Sequence, residues 1–356
     1  MPTFRTGTVV AVDRTHTDGV QELTVDVDGA QRKAFLFPRW AAPASEGHRV
    51  VLNTTAVDLE LGTGGSDFVV WNTSVDSYDA PSGGHIMKLR YTPAQSDVLA
   101  VEAQESPHHD VMRDARSLNG CVVVATSLHS QLLPVLCGIR SISIDKRVAY
   151  VMTDGAAVEA GFSNTIRRLR ERAWIEGVVT TGHAVGGDLE AVTLHSGLLA
   201  AKHVLDADIV IAGIGPGVVG TGTPYGTTAV DLGTIALAGQ ALGGRVVVCL
   251  RLSEGDPRPR HHGVSHHMAA ALGWVASAMD PDASCVVAPR GWRTQVTEAV
   301  PGWRVEEHAM DDIQGSLAAA SELGLGVSHM GRSVDDDALF FEAAGAAGAY
   351  AAMMLR

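Results

Sequence analysis

The densest chemistry in this chain lies in Arg258-Pro259-Arg260-His261-His262-Gly263-Val264-Ser265-His266-His267, where four histidines fall within seven residues. Ser265 is a residue type that caps helices, which would put His266 and His267 in a first helical turn. There the helix dipole disfavours imidazolium and keeps the rings neutral. A neutral imidazole serves as a metal ligand or a general base. Arg258 and Arg260 offer planar guanidiniums that bind a phosphate or carboxylate bidentately. At least two of the four histidines are expected to do no more than hydrogen-bond loop carbonyls.

Upstream, Gly215-Pro216-Gly217-Val218-Val219-Gly220 formally matches the glycine fingerprint of dinucleotide sites. That fingerprint opens a helix at once, in the first strand-helix-strand unit, with an acid about twenty residues on. Here further Gly, Thr and Pro intervene and the unit is the fourth, so hydride transfer to a nicotinamide is not the expectation. Instead, Gly215, Gly217, Gly220 and Gly222 would let backbone N–H groups approach an anion, with Thr221, Thr223 and Thr227 as hydroxyl donors. The alternative is a tight connection with no ligand, because glycine is also the default residue for positive φ.

Three other apolar runs end in polar residues: Leu128-His129-Ser130-Gln131, Thr153-Asp154-Gly155, and Gly182-His183 through Asp188-Leu189-Glu190. His183 with Asp188 reads as an acid/base pair, and His129, Asp154 and His266 as further catalytic candidates. The same histidines and carboxylates, Glu190 included, would suffice for a metal in a metal-dependent hydrolase. No diagnostic spacing such as His-Glu-x-x-His occurs, so no particular metal or cofactor is specified. Ser130 resembles no nucleophile elbow, and His195 and His203 lie beside an apolar helix face, where a structural role is expected. Lys88 and Arg90 stand as possible anion contacts, while Asn53-Thr54-Thr55 and residues 61–65 read as connections.

The elements that must position these residues change character along the chain. GTVVAV, QELTVDV, KAFLF, RVVLN and DFVVW are short runs rich in Val, Phe and Thr between turn residues, which predicts a small all-β barrel or sandwich-like module over residues 1–84. Residues 76–84 read as its linker. From Cys121 onward, apolar strands alternate with helix-length segments: CVVVATS, RVAYVMT, GVVTTG, DIVIAGIG, RVVVCLRLS and SCVVAP. Near-continuous apolar strands alternating with helices predict a Rossmann-like, doubly wound, mostly parallel sheet over residues 85–356. Leu194, Leu198, Ala201 and Leu205 recur at helical spacing and give one apolar face. In such a sheet, ligands bind beyond the carboxyl ends of the strands, which is where all the residues above are expected to converge in one pocket.

Bulk properties narrow the partners. The chain has 356 residues, 46% of them apolar, and a formal charge of −13. That charge repels phosphate polymers and anionic membranes, and no local basic stripe offsets it, so neither nucleic acid nor membrane is an expected partner. Cys121, Cys137, Cys249 and Cys285 are widely spaced, and all but Cys137 sit in strand-like runs, as suits buried free thiols. The opening residues MPTFRTGTVVAVD show no secretory pattern, and a cytoplasmic location is expected. Residues 338–355 (ALFFEAAGAAGAYAAMML) are apolar but dominated by Ala and Gly. They read as a buried or subunit-facing helix whose small residues would allow a homodimer contact.

Taken together, LNTTAVDLELGTGG, GHIMKLRYTP, TSLHSQ, TTGHAVGGDLEAV, GPGVVGTGT and RHHGVSHH resemble a bacterial family of unknown function, domain of unknown function thirty-eight sixty-six, over nearly the whole chain. The resemblance implies a bacterial cytoplasmic protein and supplies no activity, substrate or catalytic residue. The residues themselves point to an enzyme acting on a small phosphorylated or carboxylated metabolite. A non-catalytic metabolite sensor and a metal-dependent hydrolase are the alternatives.

Overall fold

The structure is a computed structural model that describes residues 1–61, 64–156, 158–310 and 312–355. Gly62 and Thr63 of the glycine-rich loop at 61–65 therefore lie outside the described residues. The chain forms two compact units, Met1–Leu99 and Ala100–Arg356.

In the first unit, strands β1 (Phe4–Thr15), β2 (Gln21–Val27), β3 (Ala30–Leu36), β4 (Arg49–Asn53) and β5 (Ser66–Asn72) close a barrel in the order β1-β2-β3-β5-β4. This is a five-stranded barrel of the OB type. The long β1 closes it by pairing with β2 through Thr8 to Thr15 and with β4 through Phe4 to Thr8. Gly7 sits at the bend, where a Cβ would come 2.5 Å from Val25 and 2.6 Å from the Asp26 carbonyl. The alternation read from QELTVDV is real: Leu23, Val25 and Val27 point inward with Val9, Leu36, Val50 and Leu52. One turn of helix, α1 (Thr55–Asp58), links β4 to β5. The division expected at residue 84 falls later in the structure, because β6 (Ile86–Lys88) and β7 (Ser96–Val98) form an antiparallel pair within the first unit.

The second unit opens with α2 (His109–Asp114) and is built on β8 (Val122–Thr126), β9 (Val148–Thr153), β10 (Gly177–Thr181), β11 (Leu189–Ala191), β12 (Ile209–Ile214) and β13 (Arg245–Cys249). After a short antiparallel pair, β14 (Leu252–Ser253) with β15 (Gly263–Val264), the sheet resumes with β16 (Ser284–Pro289) and β17 (Val305–His308). The eight sheet strands lie in the order β11-β10-β9-β12-β8-β13-β16-β17, all parallel. Every residue of β8, β9, β10 and β12 is buried, which is why these strands are rich in Val, Ile and Ala and carry no charge.

Helices cover both faces. On one lie α5 (Leu194–His203), α6 (Asp231–Ala241), α7 (His266–Gly273) and α8 (Arg293–Ala299); on the other lie α3 (Leu132–Ile142), α4 (Asn164–Glu171), α9 (Ile313–Glu322) and α10 (Ala338–Met353). The helices that follow β8 and β9 therefore sit opposite those that follow β12 and β13, although these strands alternate as neighbours. The connections part at the carboxyl ends of β9, β12, β8 and β13 and leave room for a ligand there.

The Ala/Gly-rich terminal segment is a buried helix, one of the two readings its sequence allowed. In α10, 12 of 16 residues are buried within the chain, on all sides of the helix. A Cβ on Gly138 of α3 would lie 2.0 Å from the Gly345 carbonyl, and one on Gly348 would lie 2.0 Å from the Val135 carbonyl. The small residues allow close packing of α10 against α3. No helix among the described residues is long and apolar enough to cross a membrane.

Candidate functional site

The arginine and histidine run leaves β13 and returns to α7. Pairing of Leu252 with Val264 and Ser253 with Gly263 pins the base of this excursion. Its inside is organised by Asp256, which is fully buried. The Asp256 carboxylate accepts from Arg251 Nη2 at 2.9 Å, from Arg258 Nε and Nη2 at 2.9 and 2.8 Å, and from Arg332 Nη2 at 3.4 Å. These bonds, those from Arg258 foremost, hold its carboxyl well below the usual carboxylate range. Asp337 accepts from Arg332 Nε at 3.1 Å and from Ser253 Oγ at 2.6 Å, tying the segment before α10 to the same network.

Against this network stand His261, His266 and His267. One ring nitrogen from each lies within 4.8 Å of the others. The ring centroids are 5.2 Å apart for His261 and His266, 5.1 Å for His261 and His267, and 4.0 Å for His266 and His267. Ser265 precedes α7 but does not cap it through its side chain, contrary to expectation; its hydroxyl lies 2.8 Å from His261 Nδ1. When Nδ1 donates to that hydroxyl, Nε2 of His261 carries the lone pair. Nε2 of His266 and Nε2 of His267 are buried with no hydrogen-bond partner among the described residues. Burial, reinforced by the Arg251 and Arg258 charges, pushes His261 down to about 3; burial with His266 and Arg251 pushes His267 down to about 4; His266 is lowered by burial and Arg260. All three rings are neutral at pH 7. His262 does what the bland reading expects and bonds the Asp256 carbonyl.

Two further unpartnered nitrogens lie close by. Nε of Arg251 is buried without a partner among the described residues, and so is Nε2 of His329. The His329 ring stacks on Phe340 at 3.8 Å, its Nδ1 is 3.0 Å from Ser130 Oγ, and burial with Arg251 and Arg332 pushes it down to about 3. The glycine loop meets this region at one point: a Cβ on Gly220 would lie 2.5 Å from His267 Cε1, so only glycine lets the loop rest on that ring. Beyond it the loop turns on itself. Thr221 N–H donates to the Gly226 carbonyl, the hydroxyls of Thr221 and Thr223 lie 2.9 Å apart, and Gly226 N–H donates to Thr223 Oγ1. Thr221 and Thr223 are thus used within an exposed hairpin, with Gly222 at its tip in the left-handed region, and Gly215 is buried where the chain leaves β12. Gly217 is exposed at positive φ, as a tight connection needs.

The catalytic candidates read from the sequence fall in separate places. His266 belongs to the three-histidine cluster. His129 is held by Ser163 Oγ at 2.7 Å and Tyr150 Oη at 3.3 Å. His183 N–H donates to Asp154 Oδ2 at 3.1 Å. Asp154 and Asp231 border a cavity of about 220 Å³ with Thr153, Thr181, Thr193 and Thr234, and Thr153 Oγ1 donates to Asp231 at 3.1 Å. Asp188 lies at the other end of β10: its carboxylate accepts from Val178 N–H at 2.7 Å and Arg170 Nε at 3.0 Å. The expected His183–Asp188 pair is not formed, because the chain doubles back to add β11 and carries Asp188 to the amino edge. Arg258 is likewise committed to Asp256, whereas Arg260 is exposed and makes no hydrogen bond or ion pair among the described residues. Arg251, Asp256, Asp231, His329 and Arg332 were not singled out in the sequence. Arg251 and Asp256 flank the histidine run closely enough to have been considered with it.

Fold and site together define a protein of the parallel α/β class with an N-terminal five-stranded barrel. The chain belongs to the family described as Protein of unknown function (DUF3866), which matches residues 33–348. Among curated proteins, none matches the chain.

Proposed function

We propose that the second unit is an enzyme acting on a small anionic metabolite, phosphorylated or carboxylated, at the carboxyl ends of β8, β12 and β13. The observation that carries this reading is a set of four buried nitrogens without partners among the described residues, on Arg251, His266, His267 and His329. An unsatisfied buried polar group costs about 1–3 kcal/mol, so four in one region call for a partner from outside the chain. The local charge favours an anion: three guanidiniums, of Arg251, Arg258 and Arg332, face two carboxylates, of Asp256 and Asp337. Arg260 adds an exposed cation beside His266 and His267. Neutral imidazoles next to a bound anion supply lone pairs for acid/base or metal chemistry. Metal-assisted hydrolysis is the form of this reading that the three-histidine cluster favours.

The test is a thermal-shift and turnover screen of untagged protein against nucleotides, sugar phosphates and carboxylates. Ligand at a hundred times its dissociation constant adds about 2.7 kcal/mol of stability, a plainly visible shift in Tm. The expected result is a phosphorylated or carboxylated hit that is consumed, with affinity lowered about tenfold in Arg260→Ala while the Tm of the ligand-free protein is unchanged. A hit that binds without being turned over would replace the enzyme with a metabolite sensor. No shift with any anion would sink both.

A further inference from the structure

We propose that His261, His266 and His267 form a binding site for one divalent transition-metal ion of the zinc class, with a coordination position left open to an anion. The donor set selects the ion. Three imidazoles with no oxygen ligand suit zinc, cobalt, nickel or copper and exclude magnesium and calcium, which require oxygen. The spacing fits. Tetrahedral zinc at about 2.0–2.1 Å from each nitrogen needs its ligand atoms roughly 3.4 Å apart. From within 4.8 Å, small rotations of the imidazoles close that gap.

Three independent features support a ligand-binding role over three packed rings. First, Nε2 of His266 and Nε2 of His267 are buried with no partner among the described residues, and His267 is only 6% exposed. Ordinary buried histidines are hydrogen-bonded through both nitrogens or hold a water. Second, His261 carries an outer partner of the kind metal-bound histidines have: Ser265 Oγ at Nδ1 fixes the ring and its tautomer. Third, the His267 ring is braced by the close approach of Gly220, which leaves it no alternative position on that side.

The surrounding charge decides what fills the open position. Three neutral imidazoles leave the ion's two positive charges uncompensated, and the arginines held by Asp256 and Asp337 add to the positive field. An anion is therefore favoured as the remaining ligand, either hydroxide from a bound water or an oxygen of the substrate. Three protein ligands and one exchangeable position is the arrangement of catalytic rather than structural zinc sites. The metal site stands without the enzyme reading; its exchangeable anion position rests on it.

The test uses untagged, full-length protein stripped with chelator and then titrated with Zn²⁺ by calorimetry and with Co²⁺ by visible absorption. One ion per chain is expected, with the intense absorption of a tetrahedral cobalt site that changes when inorganic phosphate is added. His261→Ala and His267→Ala should weaken binding at least a hundredfold, with the exposed His195→Ala unchanged. Should His267→Ala fail to fold, His266→Gln, at a partly exposed position, gives the same reading. Substoichiometric binding at micromolar metal, or binding that survives the cluster substitutions, would overturn the site. Metal binding with no response to phosphate or any other anion would keep the ion and remove the anion position. Anion turnover that is indifferent to chelator would keep the enzyme and overturn the metal's exchangeable anion position as the reacting site, while the titration alone decides whether the ion binds.

Discussion

Two loops leave the carboxyl edge of the same sheet with similar composition and do different things with it. Residues 182–188 follow β10, turn at Gly182 with φ +61°, and run back along the sheet to place Asp188 against Val178 and Arg170. Residues 250–267 follow β13, and the β14–β15 pair closes their base so that the excursion folds over a buried carboxylate. The first loop spends its polar groups on lengthening the sheet by one strand. The second is held shut at its base and organised inside by Asp256, so its histidines are kept together. Convergence at a sheet edge thus depends on whether a loop is pinned to itself or recruited as an edge strand.

The strongest way to break this comparison is to remove the group that organises the second loop. Asp256→Ala would leave the Arg251 guanidinium, 5% exposed, buried without its counter-charge, with Arg258 and Arg332 beside it. Losing one partner of a buried pair costs about 3–5 kcal/mol. Urea unfolding followed by circular dichroism should show a loss of that size. A loss under 1 kcal/mol would mean that the loop is held by its β pairing alone.

Acid should act on the same region next. Burial with the Arg251 and Arg332 charges lowers His329 to about 3, and burial lowers His129 to about 4, both from 6.5. Between those values and pH 6.5, the unfolded chain takes up a proton that each folded imidazole refuses. Stability is therefore complete above pH 6.5 and declines as pH falls through the window. At pH 5 the loss is up to about 2 kcal/mol for each ring, at 1.36 kcal/mol per unit. Unfolding measured at pH 7 and pH 5 should show this decline, to which the lowered His261 and His267 add, so that His329→Gln should remove about a quarter of it. An undiminished decline in the variant would place its origin elsewhere.

What could be read in the sequence follows from how local each signal is. The parallel sheet was legible because strands covered on both faces must be apolar throughout, as β8 and β12 are. The barrel was legible because β2 alternates at every residue. The region around residues 258–267 was legible from its histidine density, but the three that converge were not. Their selection depends on a two-residue strand pair, too short to carry periodicity, and on Arg332, which arrives from a distant segment to bind Asp256. The place of Asp188 was not legible for a related reason: β11 has three residues, and nothing in GGDLEA announces that the chain has reversed. For α10 the sequence left a buried and a subunit-facing helix open, because an Ala/Gly stripe records only that something packs closely, and one such partner is α3 of the same chain.

The smallest effect sharpens the comparison from the other side. Asp188 pairs with Arg170 at a site where its own side chain is 45% exposed. Such exposed pairs contribute about 0–1 kcal/mol, and the bond from Val178 N–H adds little at a solvated sheet edge. Asp188→Ala should therefore cost less than about 1 kcal/mol in urea unfolding. It should leave anion binding, metal binding and any turnover unchanged, because its carboxylate is at the amino end of β10 and the histidine cluster is beyond the carboxyl ends. Loss of turnover with intact stability would return Asp188 to the chemistry and would mean that the active crevice lies at the opposite edge of the sheet. Loss of stability by several kcal/mol would instead show that the β11 edge, like the Asp256 loop, depends on one carboxylate, and the contrast between the two loops would then be one of position and no longer of construction.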